Sequence, residues 1–423
     1  MEPLPELIIR LAPDYFKNRC GQPQRFFGHK SVDFLLRFLH IVNMSKPQTT
    51  LNSFSLQLQM RRRMKKLSLR ELSAALGGMV SHEMLSRYEK GTAEPREEVR
   101  AALRELLGIQ ETRGYSPLLS LNEVKFRRSR HELPQKEWEA AKALAMECCN
   151  RYLELESLTG QSVHWVSPFS GAEQRKLNRR MAETEEKTTL MEEMADELRK
   201  RWKLGSGPLP CLSILLERKG ILVCEIPFSD KRMDAFSIVH KGKPVICISD
   251  WLNQNPARKR MTLAHELGHI LFPEVDADLP SDKEYCIMRF AGALLVPRDE
   301  VISALGRELR NELPLYLLQE LKQYFGISII GLIARAMQLN IIEWEQYRDY
   351  CNRFYKRLFA LPADRQLSDV EPGVPYEIPD VSPRMHTLIG LAVSTGALTV
   401  ENASQRFGRE PDMSRFIDAA IKD

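Results

Sequence analysis

At 423 residues the chain is long enough for two or three domains, and 43% hydrophobic with 28% charged residues is the composition of an ordinary folded protein, which excludes a wholly disordered chain. No run approaches the ~20 apolar residues that span a bilayer, and Glu2 and Glu6 stand where a secretory leader needs positive charge, so neither a membrane partner nor export is expected. The net charge of +5 is small, and the eight cysteines are scattered without a Cys-x-x-Cys pair (Cys148 and Cys149 are adjacent), which reads as reduced thiols in a cytoplasmic protein.

Residues 1–53 read as an N-terminal extension. Its first part holds Pro3, Pro5, Pro13 and Pro23 and resembles no regulatory domain, and Met44-Ser45-Lys46-Pro47 looks like a natural start of translation. Residues 54–110 are expected to form a helix-turn-helix domain. Arg61, Arg62, Arg63, Lys65 and Lys66 end a first helix, and Ser68-x-x-Glu71 is a capping box opening a second, with Leu69, Leu72 and Leu76 apolar. Gly77-Gly78 breaks that helix. Ser81 can cap a third, His82 to Glu89, ending at Gly91, and Pro95 precedes a fourth with Val99, Leu103, Leu106 and Leu107. The plainer reading is a small helical bundle with a solvated basic face. The order of basic run, cap, turn and ending favours DNA.

Residues 111–180 are expected to be a helical connector, with a helix from about Gln135 to Leu158 that is solvated on its charged side or serves dimerisation, then a loop from Gly160 to Gly171. Residues 181–360 are expected to be a metal-binding domain. An acidic helix over 184–202 and a helix near 211–219 precede three short strands at 221–226, 236–240 and 244–249, the last two joined by a turn at Lys241-Gly242-Lys243. Further helices are expected at about 303–310, 315–324, 327–338 and 341–358. Residues 361–423 begin with Pro362, Pro372, Pro375, Pro379 and Pro383, read as a linker, and end in a helical tail.

The chemistry is concentrated in Met261–Pro273, which contains His265-Glu266-x-x-His269. On a helix, positions i and i+4 share a face, so both imidazoles reach one Zn²⁺ at about 2.0–2.1 Å, with Glu266 beside them to take a proton from water. Gly268 suggests that another backbone approaches closely. A catalytic zinc usually takes three protein ligands, and no histidine follows until His386, so the third is a carboxylate: Glu274, Asp276, Asp278, Asp282, Glu284, Asp299 or Glu300. Glu284 is favoured, because it opens an apolar helix running to Pro297, where an acid needs a partner. The plainer reading makes it a first-turn acid favoured by the helix dipole.

These residues carry two resemblances. Residues 56–109 resemble the Xre/Cro-type repressors of temperate phages. That likeness implies a dimer on a double-stranded operator, the 81–89 helix in the major groove, His82, Glu83 and Arg87 at base-reading positions, and Ser68, Arg62 and Lys90 at phosphate positions. Residues 190–340, with Arg258 to His269 followed by Glu284-x-x-x-x-x-Phe290-Ala291-Gly292-Ala293-Leu294-Leu295-Val296-Pro297, resemble the ImmA/IrrE family of zinc metallopeptidases. That likeness implies His265, His269 and Glu284 as ligands, Glu266 as catalytic base and a repressor, this chain or a partner, as substrate. Met288 departs from it, standing where relatives commonly carry a polar residue. The expected fold is mainly α with a small β-sheet (α+β): a five-helix Xre-type domain, a helical connector, a zincin-like metallopeptidase domain and a small helical C-terminal domain. The expected function is a DNA-binding transcriptional regulator carrying a gluzincin-like endopeptidase with Zn²⁺ or Mn²⁺, responsive to a stress or mobile-element signal. The alternative is a regulator that senses a metal or ligand through a degenerate peptidase fold and cuts nothing.

Overall fold

The computed structural model describes residues 53–109, 125–126, 134–183, 187–228, 233–240, 242–273, 280–359 and 371–407. The expected extension and its start at Met44 lie outside these residues.

Four of the five helices expected in the first domain are described: α1 (Ser53–Met64), α2 (Leu69–Ala75), α3 (His82–Glu89) and α4 (Glu97–Leu107). Their ends are local chemistry. The Ser68 hydroxyl accepts from the Glu71 amide at 3.1 Å, and the Ser68 amide donates to the Glu71 carboxylate at 2.6 Å, closing the capping box. Gly77 and Gly78 take φ of 64° and 77° in the turn, and Ser81 accepts from Met84 N at 3.3 Å to start α3. Leu58, Leu72, Leu85 and Leu103 are wholly buried between the four helices.

The connector helix α5 (Gln135–Thr159) is a structural spine, not a solvated link. It buries Trp138, Ala141, Ala145, Met146, Tyr152 and Leu155 against one face of a four-stranded sheet and against a pair of C-terminal helices. Its apolar face is therefore covered within the chain. The strands are β1 (Lys125–Phe126), β2 (Leu222–Ile226), β3 (Ala235–His240) and β4 (Lys243–Ser249), in the order β1-β3-β4-β2. The β3–β4 hairpin closes at the expected turn, with His240 opposite Lys243. β2 pairs in parallel with β4, and β1, which has no counterpart in the sequence reading, pairs antiparallel with β3. Period-two alternation divides the strands: Leu222, Cys224, Phe236, Val245 and Cys247 face α5, while Val223, Ala235, Ile246 and Ile248 face the second core.

That second core is helical. It is built by α6 (Gly171–Glu183), α7 (Lys187–Trp202), α8 (Leu212–Arg218), α9 (Pro256–Leu271), α10 (Pro280–Leu295), α11 (Arg298–Leu305), α12 (Leu315–Phe325), α13 (Ile329–Gln338) and α14 (Trp344–Phe359). α6 was not expected, because Arg175, Lys176, Arg179 and Arg180 obscure its thin apolar stripe of Leu177 and Met181. α11 begins directly after Pro297, earlier than expected, with Asp299 and Glu300 in its first turn and Gly306 ending it.

The expected linker is corrected over its described part. Residues 371–383 are a strap packed on the domain. Asp380, 1% exposed, accepts from the amides of Leu212 and Ser213 at 2.8 and 2.7 Å, capping α8, and pairs with Arg260 at 2.9 Å. Glu371 pairs with Lys322 at 3.0 Å. Two tail helices, α15 (Arg384–Ser394) and α16 (Val400–Phe407), complete the core over α5 with Leu388, Ile389, Ala392 and Ala403. Phe416 and Ile417 lie outside the described residues. Among the described residues no helix is long and apolar enough to cross a membrane.

Candidate metal centre and nucleic-acid interface

α9 begins at Asn255, whose side chain accepts from Arg258 N, with Pro256 in the first turn where a missing N–H costs nothing. The consecutive cations that follow hold the helix in place. Arg258 pairs with Asp234 at 2.8 Å, the fully buried Lys259 with Glu225 at 2.5 Å, and Arg260 with Asp380. One turn further on, His265 and His269 project from one face with their Nε2 atoms 3.0 Å apart. The carboxylate of Glu284, on α10, lies 3.1 Å from His265 Nε2 and 3.6 Å from His269 Nε2. Contact first with His265 and then with His269 holds the Glu284 carboxyl far below the usual carboxylate range.

The fit to a metal is geometric. A tetrahedral ion with bonds of about 2.0–2.1 Å sets its ligand atoms roughly 3.3–3.4 Å apart; the two imidazole nitrogens stand 3.0 Å apart, and each faces a different oxygen of the Glu284 carboxylate, at 3.1 and 3.6 Å. Among the described residues, His265, His269 and Glu284 are the one group of three such side chains whose ligand atoms converge. Glu266, the neighbour of His265, is buried at 5% exposure. Of the other carboxylates weighed as third ligand, Asp299 and Glu300 belong to α11, and Glu274, Asp276, Asp278 and the Asp282 side chain lie outside the description. α10 starts four residues before Glu284, so this acid sits in the second turn and not at the helix start. Met288, one turn on, is 43% exposed, and Tyr285 is also exposed.

Gly268 does admit a close approach, but of side chains. A Cβ there would lie 2.8 Å from Ile287 Cγ2 and 3.1 Å from Phe290 Cδ1, both on α10. Gly268→Ala is expected to push α10 away, lowering stability by about 1–3 kcal/mol and loosening the metal, since Glu284 rides on that helix. Thermal unfolding with and without Zn²⁺ checks it: the variant should lose more of the metal-dependent shift than of the metal-free melting temperature.

The sequence reading missed what fixes α10. Its last carbonyls lack helical partners, and two buried guanidiniums supply them. Arg199 donates to Leu294 O at 2.8 Å, and Arg335 donates to Val296 O at 3.1 and 3.2 Å. Burial pulls Arg199 down to about 10, which leaves it a cation at neutral pH. Glu192 on α7 binds both Arg335 and, at 2.6 Å, Arg289 of α10. A lone Arg335 inside the apolar run Ile329–Met337 was the available signal.

In the first domain, α3 presents Glu83 and Arg87 to solvent with His82 half-exposed, His82 Nε2 lying 3.0 Å from Glu83. Lys90 is exposed just after α3, and Ser68 sits at the start of α2. Arg62 is a correction. Its guanidinium grips Glu89 at 2.6 and 2.9 Å and donates to Leu67 O at 2.6 Å, so it braces α1 against α3 and does not reach outward for a phosphate. The rest of the basic run is also turned to internal partners: Arg61 to Glu147 at 3.1 Å, Arg63 to Glu139 at 2.6 Å, Lys66 to Glu137 at 2.7 Å and Lys65 to Leu106 O at 2.7 Å. Three of those acids lie on α5, so much of the positive charge expected to face DNA instead ties the domain to the spine.

Comparison with known families agrees with both halves. Residues 58–113 match the helix-turn-helix family, and residues 216–337 match the family described as the IrrE N-terminal-like domain, a peptidase family. No curated protein matches the chain. The converging histidines and carboxylate lie inside the second match and the exposed α3 inside the first, so the chain is an Xre-type helix-turn-helix domain fused to an ImmA/IrrE-like metallopeptidase domain.

Proposed function

We propose that this protein is a cytoplasmic DNA-binding transcriptional regulator whose second domain is a zinc endopeptidase acting on a repressor, either this chain or a partner. The observation that carries the reading is the convergence of His265, His269 and Glu284 beside the buried Glu266, in a chain that also presents α3 to solvent. Zn²⁺, or Mn²⁺ in its place, would supply Lewis acidity to the scissile carbonyl and lower the pKa of water toward ~7. His265, His269 and Glu284 would hold the ion from two helices. Glu266 takes the proton from the attacking water and delivers it to the leaving amine. The test is an intact-mass time course of the purified protein with Zn²⁺ or Mn²⁺, with and without operator DNA, alongside metal analysis. One bound metal per chain and a discrete product support the proposal. Bound metal without a product from this chain or a co-encoded repressor favours the sensing regulator, the reading suggested by Met288 standing exposed one turn after Glu284.

On DNA, a homodimer would place two α3 helices in successive major grooves about 34–36 Å apart. Arg87 is the residue suited to a bidentate contact with guanine, Glu83 can accept from cytosine, and His82, Ser68 and Lys90 flank them. Arg87→Ala is expected to weaken operator binding by about 1–3 kcal/mol and relax specificity at one base pair, leaving the melting temperature unchanged. Arg62→Ala should lower the melting temperature as well, because it releases Glu89. Fluorescence anisotropy against operator variants, paired with thermal melts, separates the two.

A further inference from the structure

Where the helix-turn-helix domain, α5 and the sheet meet, the packing leaves a cleft of about 380 Å³. Three parts of the fold wall it. The first domain supplies Met64 and Lys65 from the end of α1 and Leu107 from the end of α4. α5 supplies Glu137, Ala140 and Leu144. Phe228, just after β2, and Met233, just before β3, form the third wall. Protein interiors leave few voids larger than one water. At about 30 Å³ for each water-sized group, this one has room for about a dozen. Clefts of this size at a seam between domains are the ordinary setting of small-molecule sites.

The lining selects the chemistry. Most of it is apolar, and its charged part is Arg61, Lys65, Lys66 and Glu137. Two of the three cations are balanced: Lys66 pairs with Glu137 at 2.7 Å and Arg61 with Glu147 at 3.1 Å. The ammonium of Lys65, an exposed residue, instead donates to a neutral carbonyl, Leu106 O, at 2.7 Å. One positive charge therefore stands at the edge of an apolar cleft. A doubly charged phosphate would bring more negative charge than this balance takes up, and an uncharged lipid would make no use of Lys65. A single carboxylate matches it. We propose that this cleft binds a small amphipathic carboxylate, an acid of about eight to ten carbons by volume, with its head at Lys65 and its chain against Met64, Ala140, Leu144 and Phe228. Such an occupant touches the first domain, α5 and the sheet at once. It therefore adds to the ion pairs of Arg61, Arg63 and Lys66 that hold the DNA-binding domain on α5, whichever way the metal centre acts.

The test uses the full metal-loaded chain with octanoate, octan-1-ol and acetate, followed by calorimetry and by hydrogen–deuterium exchange. One octanoate per chain is expected to bind, with octan-1-ol at least about threefold weaker and acetate not bound. Octanoate should slow exchange in residues 61–66 and 137–144. Lys65→Gln should erase the preference for octanoate over octan-1-ol, while Lys200→Gln, the same loss of charge at an exposed site on α7, leaves it unchanged. The exchange map of the unsubstituted protein reads the site even if a variant folds poorly. Protection confined to α9 and α10 would mean that the carboxylate sits on the metal, and would overturn the proposal. Absence of octanoate binding would overturn it too, as would octan-1-ol bound as well as octanoate.

Discussion

Glu266→Gln is expected to abolish peptide cleavage, lowering its rate by at least about 10²–10⁴-fold, while the protein still binds one metal per chain and its operator. The substitution keeps the size of a side chain that is 5% exposed. It leaves His265, His269 and Glu284, the three converging ligand atoms, as they are. What it removes is basicity, since an amide cannot take the proton from water. Metal analysis, operator binding and the intact-mass time course are read on the same preparation. Loss of all three would point to misfolding. Cleavage at the unsubstituted rate would show that another group is the base, and no cleavage by either protein would leave the sensing regulator as the better account.

The second large effect is on stability. Glu192→Ala is expected to cost about 3–5 kcal/mol, because it leaves two buried guanidiniums uncompensated. Arg335 is 1% exposed and Arg289 is 7% exposed, and both turn to the Glu192 carboxylate. Arg335 also caps the end of α10 through Val296 O. The damage should therefore reach the metal centre although Glu192 is not a ligand: metal affinity should fall together with the melting temperature. Replacing Glu192, Arg289 and Arg335 together by apolar residues of similar volume should restore part of the stability. Calorimetry and Zn²⁺ titration check both statements. A drop in melting temperature with unchanged metal affinity would show that the α7–α10 clamp does not position Glu284.

Much of this was legible in the sequence because its causes are local. The capping box of Ser68 and Glu71, the cap at Ser81, the Gly77-Gly78 break and Pro273 depend on residues a few positions apart. The elements they bound appear where expected, as do the hairpin between β3 and β4 and the full length of α5. The His265–His269 spacing is likewise one turn of one helix. Local logic failed for charges. The run Arg61 to Lys66 and the triplet Arg258 to Arg260 look solvated or DNA-facing, yet most find partners more than twenty residues away: Glu147, Glu89, Glu139, Glu137, Asp234, Glu225 and Asp380.

The proline-rich segment shows the same limit. Prolines at 372, 375, 379 and 383 forbid a helix, and from that alone a linker follows. Whether an extended segment is free or docked depends on what faces it, and here the amides at the start of α8 and the cation of Arg260 take Asp380 into the core.

The sequence by itself determined the helix-turn-helix, the two histidines on one helical face with Glu266 between them, and the small α+β fold, because each follows from periodicity, capping and turn chemistry within about a dozen residues. Only the tertiary structure decided the rest. It placed Glu284 opposite the two histidines, turned Arg62 inward and made α5 a spine. The metal ligands stand up to 19 positions apart, Arg62 and Glu89 27 apart, and α5 meets strands further still along the chain. The packing of α5, the sheet and the helices around α10 brings them together, and no local periodicity encodes it.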